Sequence, residues 1–364
     1  MDSKNLLLKL LFFILLAAIV SAGAFYLIKN LSQKLSAEVA VPAGRQEKKD
    51  TFDPSSLIFE EATSSAPWPE RDSHATVVFK DKMWLMGGLN GNDSLIKKGV
   101  VKYWEAPHFS DVWTSENGQD WELIAEKSPW GDRRSVQVVN FKDKIWLMGG
   151  WGPEVRYENN VWYSEDGINW VEATSSAAWP AREGHSLAVF KDKLWLIGGV
   201  QYDKRETKND VWYSEDGINW SEATSSAQWA PRWDHAVTVF KDKLWLIGGM
   251  NLNNMIFKDV WRSEDGKNWV LATDNPPWEP RQGHNILDFK NKLWLIGKMN
   301  DIPNGDKNDI WYSEDGINWE KTKNDPLWLG REDSSAVIFK DKIWILGGMD
   351  VNWEWTNDIW YSTS

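Results

Sequence analysis

The chain has 364 residues, of which 42% are hydrophobic, and it carries a formal net charge of −12. An acidic chain lacks the basic surface that phosphate contacts require, so the composition argues against a general nucleic-acid binder. The sequence contains no cysteine, which excludes disulfides, thiolate metal sites and acylation of a lipoprotein cysteine.

An apolar segment lies near the start of the chain. Residues 10–28, LLFFILLAAIVSAGAFYLI, carry no charge, and at ~1.5 Å per residue they nearly match a ~30 Å hydrocarbon core. The small residues Ala22 to Ala24 would suit a signal-peptidase site, so a cleaved leader is the alternative to an uncleaved anchor. We predict a membrane anchor or signal peptide in residues 1–30 and a polar stalk in residues 31–56. Because a long domain after a short N-terminal tail usually crosses the membrane, we expect it in the cell envelope, or secreted if the leader is cleaved.

Residues 57–364 repeat a pattern with a period near fifty residues. The phrase AREGHSLAVFKDKLWLIGG, which ends at Gly199, returns as PRWDHAVTVFKDKLWLIGG, which ends at Gly249. Each of six units predicts four short strands, a to d, joined by turns rich in Asp and Gly. Unit one carries an insertion at residues 89–109. A period of this length is typical of a propeller blade or a solenoid unit.

The two ends of the repeat region complement each other. The sixth unit ends at DIWYSTS without a strand d, and residues 58–69 match residues 169–180, with Phe59 at a tryptophan position. We therefore predict that the N-terminal strand completes the last blade, which closes the ring and removes open sheet edges. The predicted fold is an all-β, six-bladed propeller, in which 23 of the 28 tryptophans recur in register and fill the wedges between blades.

The repeated Arg-x-x-His, apolar strand, Gly-Gly and then aspartate and tryptophan resemble the kelch repeat of galactose-oxidase-like propellers over roughly residues 57–364. One departure is Lys298, which replaces the second glycine in unit five. The segment SEDGINW, residues 164–170, also resembles the Asp-box turn of sialidases, one residue shorter, and we interpret it as structural. The kelch resemblance implies that the motif arginines grip acidic ligands, since guanidinium forks match carboxylate or sulfate oxygens.

Strand parity predicts which face of the propeller binds. The a–b and c–d turns share one face and repeat FKDK and SEDG almost unchanged, whereas the b–c and d–a connections on the other face vary. The d–a connections carry the predicted ligand-binding arginines, Arg71, Arg133, Arg182, Arg232, Arg281 and Arg331. The alternative is that each arginine pairs with a carboxylate of a neighbouring blade and only stabilises the ring.

Histidines and unrepeated tryptophans complete the predicted site. Four histidines follow the arginines by three residues and are expected to line the cavity or to anchor their strands: His74, His185, His235 and His284. Their spacing around a propeller is too wide for the ~2 Å bonds of a shared metal, so we predict no metal. The tryptophans outside the repeat are expected to stack on a ligand: Trp104, Trp151, Trp233, Trp353 and Trp355. Loop 300–309 offers oxygen ligands, but its spacing is not that of an EF-hand.

No catalytic signature is evident, because the sequence lacks H-E-x-x-H, G-x-S-x-G and P-loop motifs. Kelch-type copper oxidases need a cysteine cross-linked to tyrosine, which this chain lacks. We predict a monomeric, cofactor-free binding module for an acidic glycan, peptide or partner protein. The alternative is a carbohydrate-active enzyme similar to sialic-acid mutarotases or sialidases, with Glu183, Asp234 or Glu332 as acid–base groups.

Overall fold

The computed structural model describes residues 52–297 and 308–363. The predicted anchor, most of the stalk, Lys298 and most of loop 300–309 lie outside the described residues. In the described part, no helix is long and apolar enough to cross a membrane. The last residues of the predicted stalk, from Asp53 onward, fall in the compact unit Asp53–Ser364. There Pro54–Ser56 forms a 3-10 helix, and the Ser55 carbonyl accepts a hydrogen bond of 2.8 Å from the Lys323 backbone.

Six antiparallel sheets form the blades of a propeller, each with its strands in the order a, b, c, d from the axis outward. Strands a of neighbouring blades pack against one another around the axis. These inner strands are Ala75–Phe79, Gln137–Phe141, Ser186–Phe190, Ala236–Phe240, Asn285–Phe289 and Ser335–Phe339. Strands b are Lys82–Met86, Lys144–Met148, Lys193–Gln201, Lys243–Ile247, Lys292–Ile296 and Lys342–Asp350.

The outer half of each blade consists of strands c and d. Strands c are Val112–Ser115, Val161–Ser164, Glu206–Ser214, Val260–Ser263, Ile310–Ser313 and Trp355–Thr363. Strands d are Glu122–Ala125, Trp170–Thr174, Trp220–Thr224, Trp269–Thr273, Glu320–Lys321 and, for blade six, Ile58–Thr63. The central residues of strand b are buried on both faces, which is why they form an unbroken apolar run in the sequence. Strand d is more exposed: in Trp220–Thr224 the consecutive residues Ser221 and Glu222 are both exposed.

The ring closes as the sequence predicts. Strand Ile58–Thr63 pairs antiparallel with Trp355–Thr363, with Phe59 opposite Ser362. Phe59 packs edge to face on Trp328 at 5.1 Å between ring centroids. In blade three, Trp220 meets Trp179 in the same way at 6.1 Å. The first strand therefore fills both the hydrogen-bonding place and the packing place of the missing strand d.

The strand-b tryptophans join each blade to the next. The ring of Trp84 lies 2.3 Å from the position that a Cβ on Gly167 would take, so a side chain has no room there. Gly167 also has a φ of +81°, which disfavours other residues. The same contact recurs between four further pairs: Trp146 and Gly217, Trp195 and Gly266, Trp245 and Gly316, and Trp344 and Gly118. The glycine of each SEDG-type turn is thus explained by packing, in agreement with a structural interpretation of these turns.

Two short helices and a ribbon shape the variable face, defined here as the face that carries the b–c and d–a connections. The insertion in blade one contains the helical turn Ser94–Lys97 and the 3-10 helix Tyr103–Glu105. In blade two, Trp151–Gly152 pairs with Arg156–Tyr157 as a two-stranded ribbon. The 3-10 helix and the ribbon both contribute to the lining of a cavity on this face.

Candidate functional site

The six motif arginines are buried, with 0–3% of their surface exposed. Arg182 donates to the Gly198 carbonyl at 2.8 Å and to both carboxylate oxygens of Asp210, at 2.6 and 2.8 Å. The same guanidinium–carboxylate pair recurs in four other blades, as Arg71–Asp111, Arg232–Asp259, Arg281–Asp309 and Arg331–Asp358. In blade two, Arg133 bonds instead to Asn160 Oδ1 at 3.0 Å.

Each of these pairs lies within one blade and joins the start of strand a to the start of strand c. The alternative prediction, a carboxylate from a neighbouring blade, is therefore wrong about the partner. Neighbouring blades are joined through the backbone: the Arg182 carbonyl accepts a hydrogen bond of 3.0 Å from Gly150 of the preceding blade. Because the guanidinium groups are buried and bonded inside the blades, they do not lie on a surface where a ligand could reach them.

The four histidines pack between blades. The Cε1 atom of His185 lies 2.3 Å from the position that a Cβ on Gly149 would take, and its ring tilts against Trp179 at 6.2 Å. Burial, together with the charge of Arg182, lowers the pKa of His185 to about 3, so the ring is neutral. His74, His235 and His284 contact the corresponding glycines Gly347, Gly198 and Gly248. These histidines border a central channel of about 250 Å³ and serve as packing groups between blades.

Backbone hydrogen bonds form a nearly complete ring around the axis at the variable face, with five of the six links between neighbouring blades present among the described residues. It is formed by the residue two positions after each arginine, and all six have φ between +50° and +60°: Ser73, Ser135, Gly184, Asp234, Gly283 and Asp333. The Ser135 N–H donates to Ser73 at 2.8 Å, and Asp333 donates to Gly283 at the same distance. The left-handed backbone turns each peptide toward the next blade, so these residues form a floor above the channel.

Above this floor, the variable loops enclose a cavity of about 830 Å³, called here the variable-face cavity. Its lining contains seven aromatic residues: Tyr103, Trp104, Trp151, Tyr157, Tyr202, Trp233 and Trp353. Polar and charged side chains, including Ser73, Arg134, Glu183 and Gln282, lie among them. The combination of flat apolar rings and hydrogen-bonding groups is typical of a site for a polar organic ligand.

Four of the five predicted tryptophans line this cavity, and Trp355 does not. Trp104 and Trp353 are 51% and 52% exposed, whereas Trp151 is buried. Trp355 is 3% exposed and packs behind Tyr103 at 6.0 Å. It holds the insertion of blade one against blade six, with Asn92 bonded to both its backbone N–H and its carbonyl. Trp355 thus supports the cavity wall, and the side chain that faces the ligand space is Tyr103.

Arg134, which sequence reasoning missed, is the buried cation of the cavity. Its Nε donates to Glu183 at 2.9 Å, and its guanidinium carbon lies 5.0 Å from the ring centroids of both Tyr103 and Trp151. Burial alone would lower the pKa of Arg134, but the charge of Glu183 raises it, so the group stays ionised. Its Nη1 atom is buried and has no hydrogen-bond partner in the described part of the chain. The sequence signal is the pair Arg133-Arg134 in unit two, because no other unit has an arginine directly after its motif arginine.

Three aspartates near the floor have raised pKa values. Burial and the charge of Asp333 raise the pKa of Asp72, and its Oδ2 accepts a hydrogen bond from the Tyr103 hydroxyl at 3.3 Å. Burial and neighbouring carboxylates raise the pKa of Asp234. Burial raises the pKa of Asp333 to about 6. The floor therefore holds more carboxyl groups than Arg134 neutralises.

Comparisons with known proteins support the fold and leave the family open. No family model matches this chain, and no curated protein matches it. Among 551 matching solved chains, the structure of YjhT superimposes with a TM-score of 0.63 at 15% sequence identity, covering 82% of this chain and 96% of that chain. At this identity the likeness supports the propeller fold alone, so the family inferred from the repeat motif stays a prediction.

Proposed function

We propose that this propeller is a non-catalytic recognition module that binds a glycan in the variable-face cavity. One observation carries the proposal: a concave space of about 830 Å³ combines seven aromatic side chains with hydrogen-bonding groups at its floor. Aromatic rings stack on the apolar faces of sugar rings, and the polar groups bond to hydroxyls. The apolar segment at residues 10–28 supports the further proposal that the module is held at a membrane, outside the cytoplasm.

The repeats themselves favour assignment to the kelch type. The motif arginine, the first glycine of Gly-Gly and the aspartate before the strand-c tryptophan meet in one hydrogen-bonded cluster, as in Arg182, Gly198 and Asp210. Trp212 completes the cluster by donating to Asp210 at 2.9 Å. The motif therefore supports a role in blade stability, and the expectation of an acidic ligand loses the arginines on which it rested.

Binding is tested with the full-length protein on a glycan array, followed by fluorescence titration of the glycans retained. Trp353→Ala should weaken binding at least tenfold without lowering the urea midpoint, because the ring is half exposed at the cavity rim. Ile168→Ala is the matched control, since Ile168 is 55% exposed on the opposite face. Absence of binding to every glycan class would refute the proposal, as would equal binding by the Trp353 variant.

A second candidate function, acid–base catalysis on a sugar, is favoured by the raised pKa values at the cavity floor. A carboxyl group with a pKa near 6, such as Asp333, can both donate and accept a proton near neutral pH. A mutarotase-like reaction needs only such groups beside the ring oxygen and anomeric carbon. Measuring the rate of anomer exchange of bound sugars by NMR, with native protein and Asp333→Asn, separates this candidate from simple binding.

A further inference from the structure

Two carboxyl groups occupy spaces that glycines leave at the cavity floor. The Oδ1 atom of Asp234 lies 2.8 Å from the position that a Cβ on Gly184 would take. In the same way, Oδ1 of Asp333 lies 2.6 Å from the Cβ position of Gly283. Ser73 donates to Asp333 at 3.3 Å, whereas no hydrogen-bond donor among the described residues reaches the Asp234 carboxylate. Both carboxyl groups therefore lie at the floor with bonding capacity to spare.

Among the described residues, the charges around these two carboxyl groups do not balance. At the rim, the exposed side chains of Arg156 and Asp203 offset each other. Inside, Arg134 is already paired with Glu183, and its charge only partly offsets the repulsion between the two aspartates. A positive charge in the cavity would relieve this excess of carboxyl groups.

The remaining polar atoms fit a sugar that carries an amino group. Buried atoms without a hydrogen-bond partner in the described part of the chain include Arg134 Nη1, Trp233 Nε1 and Gln282 Oε1, all on cavity-lining residues. The two donors suit hydroxyl or ring oxygens of a sugar. An ammonium group has three donors and no acceptor, so it suits the amide oxygen and the two carboxyl groups.

The walls of the cavity also favour a cation. The guanidinium of Arg134 lies 5.0 Å from the centroids of both Tyr103 and Trp151, so two of the rings already hold a positive charge. On another side of the cavity, Tyr202 and Trp233 meet edge to face at 5.3 Å. These rings offer a second aromatic surface beside Asp234, where a sugar ring can stack while its ammonium group reaches the floor.

We infer that the cavity selects a glycan with a positive charge, namely an amino sugar with a free ammonium group that binds at Asp234 and Asp333. This inference rests on the proposed glycan-binding function and names the class of ligand. The carboxyl pair gives the selectivity, because an N-acetylated sugar of the same ring structure has no positive charge to pair with the two carboxyl groups.

The experiment compares two oligomers that differ only in this group: the β-1,4-linked tetramer of glucosamine and that of N-acetylglucosamine. Their binding to the full-length protein is measured by calorimetry at about pH 6.5, below the ~8 pKa of an amino group. We expect the glucosamine tetramer to bind at least tenfold more tightly. Asp234→Asn and Asp333→Asn should each remove most of that preference, whereas Glu222→Gln, which removes a negative charge from an exposed strand d outside the cavity, should keep it.

The possible results separate the two proposals. Equal affinity for both tetramers, or a preference for the acetylated one, would overturn the cationic ligand and leave glycan binding in place. If both floor variants keep the preference, and their urea midpoints are at or above that of the native protein, the ammonium group does not bind at the carboxyl pair. If neither tetramer nor any arrayed glycan binds, the proposed function fails and this inference with it.

Discussion

Removing a motif arginine should lower the free energy of unfolding of the propeller rather than abolish a binding site. In Arg182→Met, the apolar stem remains but Asp210, whose side chain is only 10% exposed, loses its bidentate partner. Leaving one member of a buried ion pair costs about 3–5 kcal/mol. Arg133→Met is the matched control, because Arg133 bonds to the neutral Asn160 and the Gly149 carbonyl. Losing hydrogen bonds between neutral partners or to one charged partner costs about 1–3 kcal/mol.

The two variants are compared by urea unfolding, followed by tryptophan fluorescence. We expect Arg182→Met to be about 2 kcal/mol less stable than Arg133→Met, roughly thirtyfold in the unfolding equilibrium constant. The double variant Arg182→Met with Asp210→Asn reproduces the neutral partner of blade two and should recover most of this difference. Equal stability of the two single variants would refute the reasoning. Native stability with lost glycan binding would instead return the arginines to the role predicted from the sequence.

Three further predictions concern the turns, the cavity floor and the closing strand. Gly167→Ala should lower the free energy of unfolding by more than about 2 kcal/mol, because its Cβ would lie 2.3 Å from Trp84. Gly99→Ala is the control: its φ is similar but the space around it is open, so it should lower the free energy of unfolding by about 1 kcal/mol. Folding raises the pKa of Asp333 from 3.8 to about 6, so native stability should fall as the pH rises through this interval. Above pH 6, Asp333→Asn should therefore have a higher urea midpoint than the native protein, and below pH 4 it should not. Phe59→Ala should cost about 3–4 kcal/mol by unfolding, and Phe59→Trp should cost little; equal losses would argue against strand-d packing at this position.

The sequence predicted the architecture because the repeat constrains it six times over. Strand order, the closing role of residues 58–63 and the face that carries the cavity all follow from period and parity, which depend on the backbone alone. Four of the five unrepeated tryptophans line the cavity for the same reason, since they lie on the connections that strand parity assigns to the variable face.

The roles of the arginines and of Arg134 were harder to predict, because they depend on partners far along the chain. Arg182 binds Asp210, which lies 28 residues later, and the sequence does not show that both side chains are buried within the same blade. Arg134 follows Arg133 directly, yet one faces the cavity and the other the blade interior. Adjacent residues of extended chain point to opposite sides, so one step in sequence decides between structure and site.

The variable-face cavity is asymmetric, and this determines where its functional residues are found. A six-fold ring of identical units can present only identical groups to the axis, so a site for one asymmetric ligand requires positions where the units differ. The residue after each motif arginine is such a position, occupied by Asp72, Arg134, Glu183, Trp233, Gln282 and Glu332. Five of these line the cavity, and Asp72 bonds to Tyr103 in its wall. The arginines are alike because they make the same kind of bond inside each blade, whereas the residues beside them differ, as a site for the proposed glycan requires.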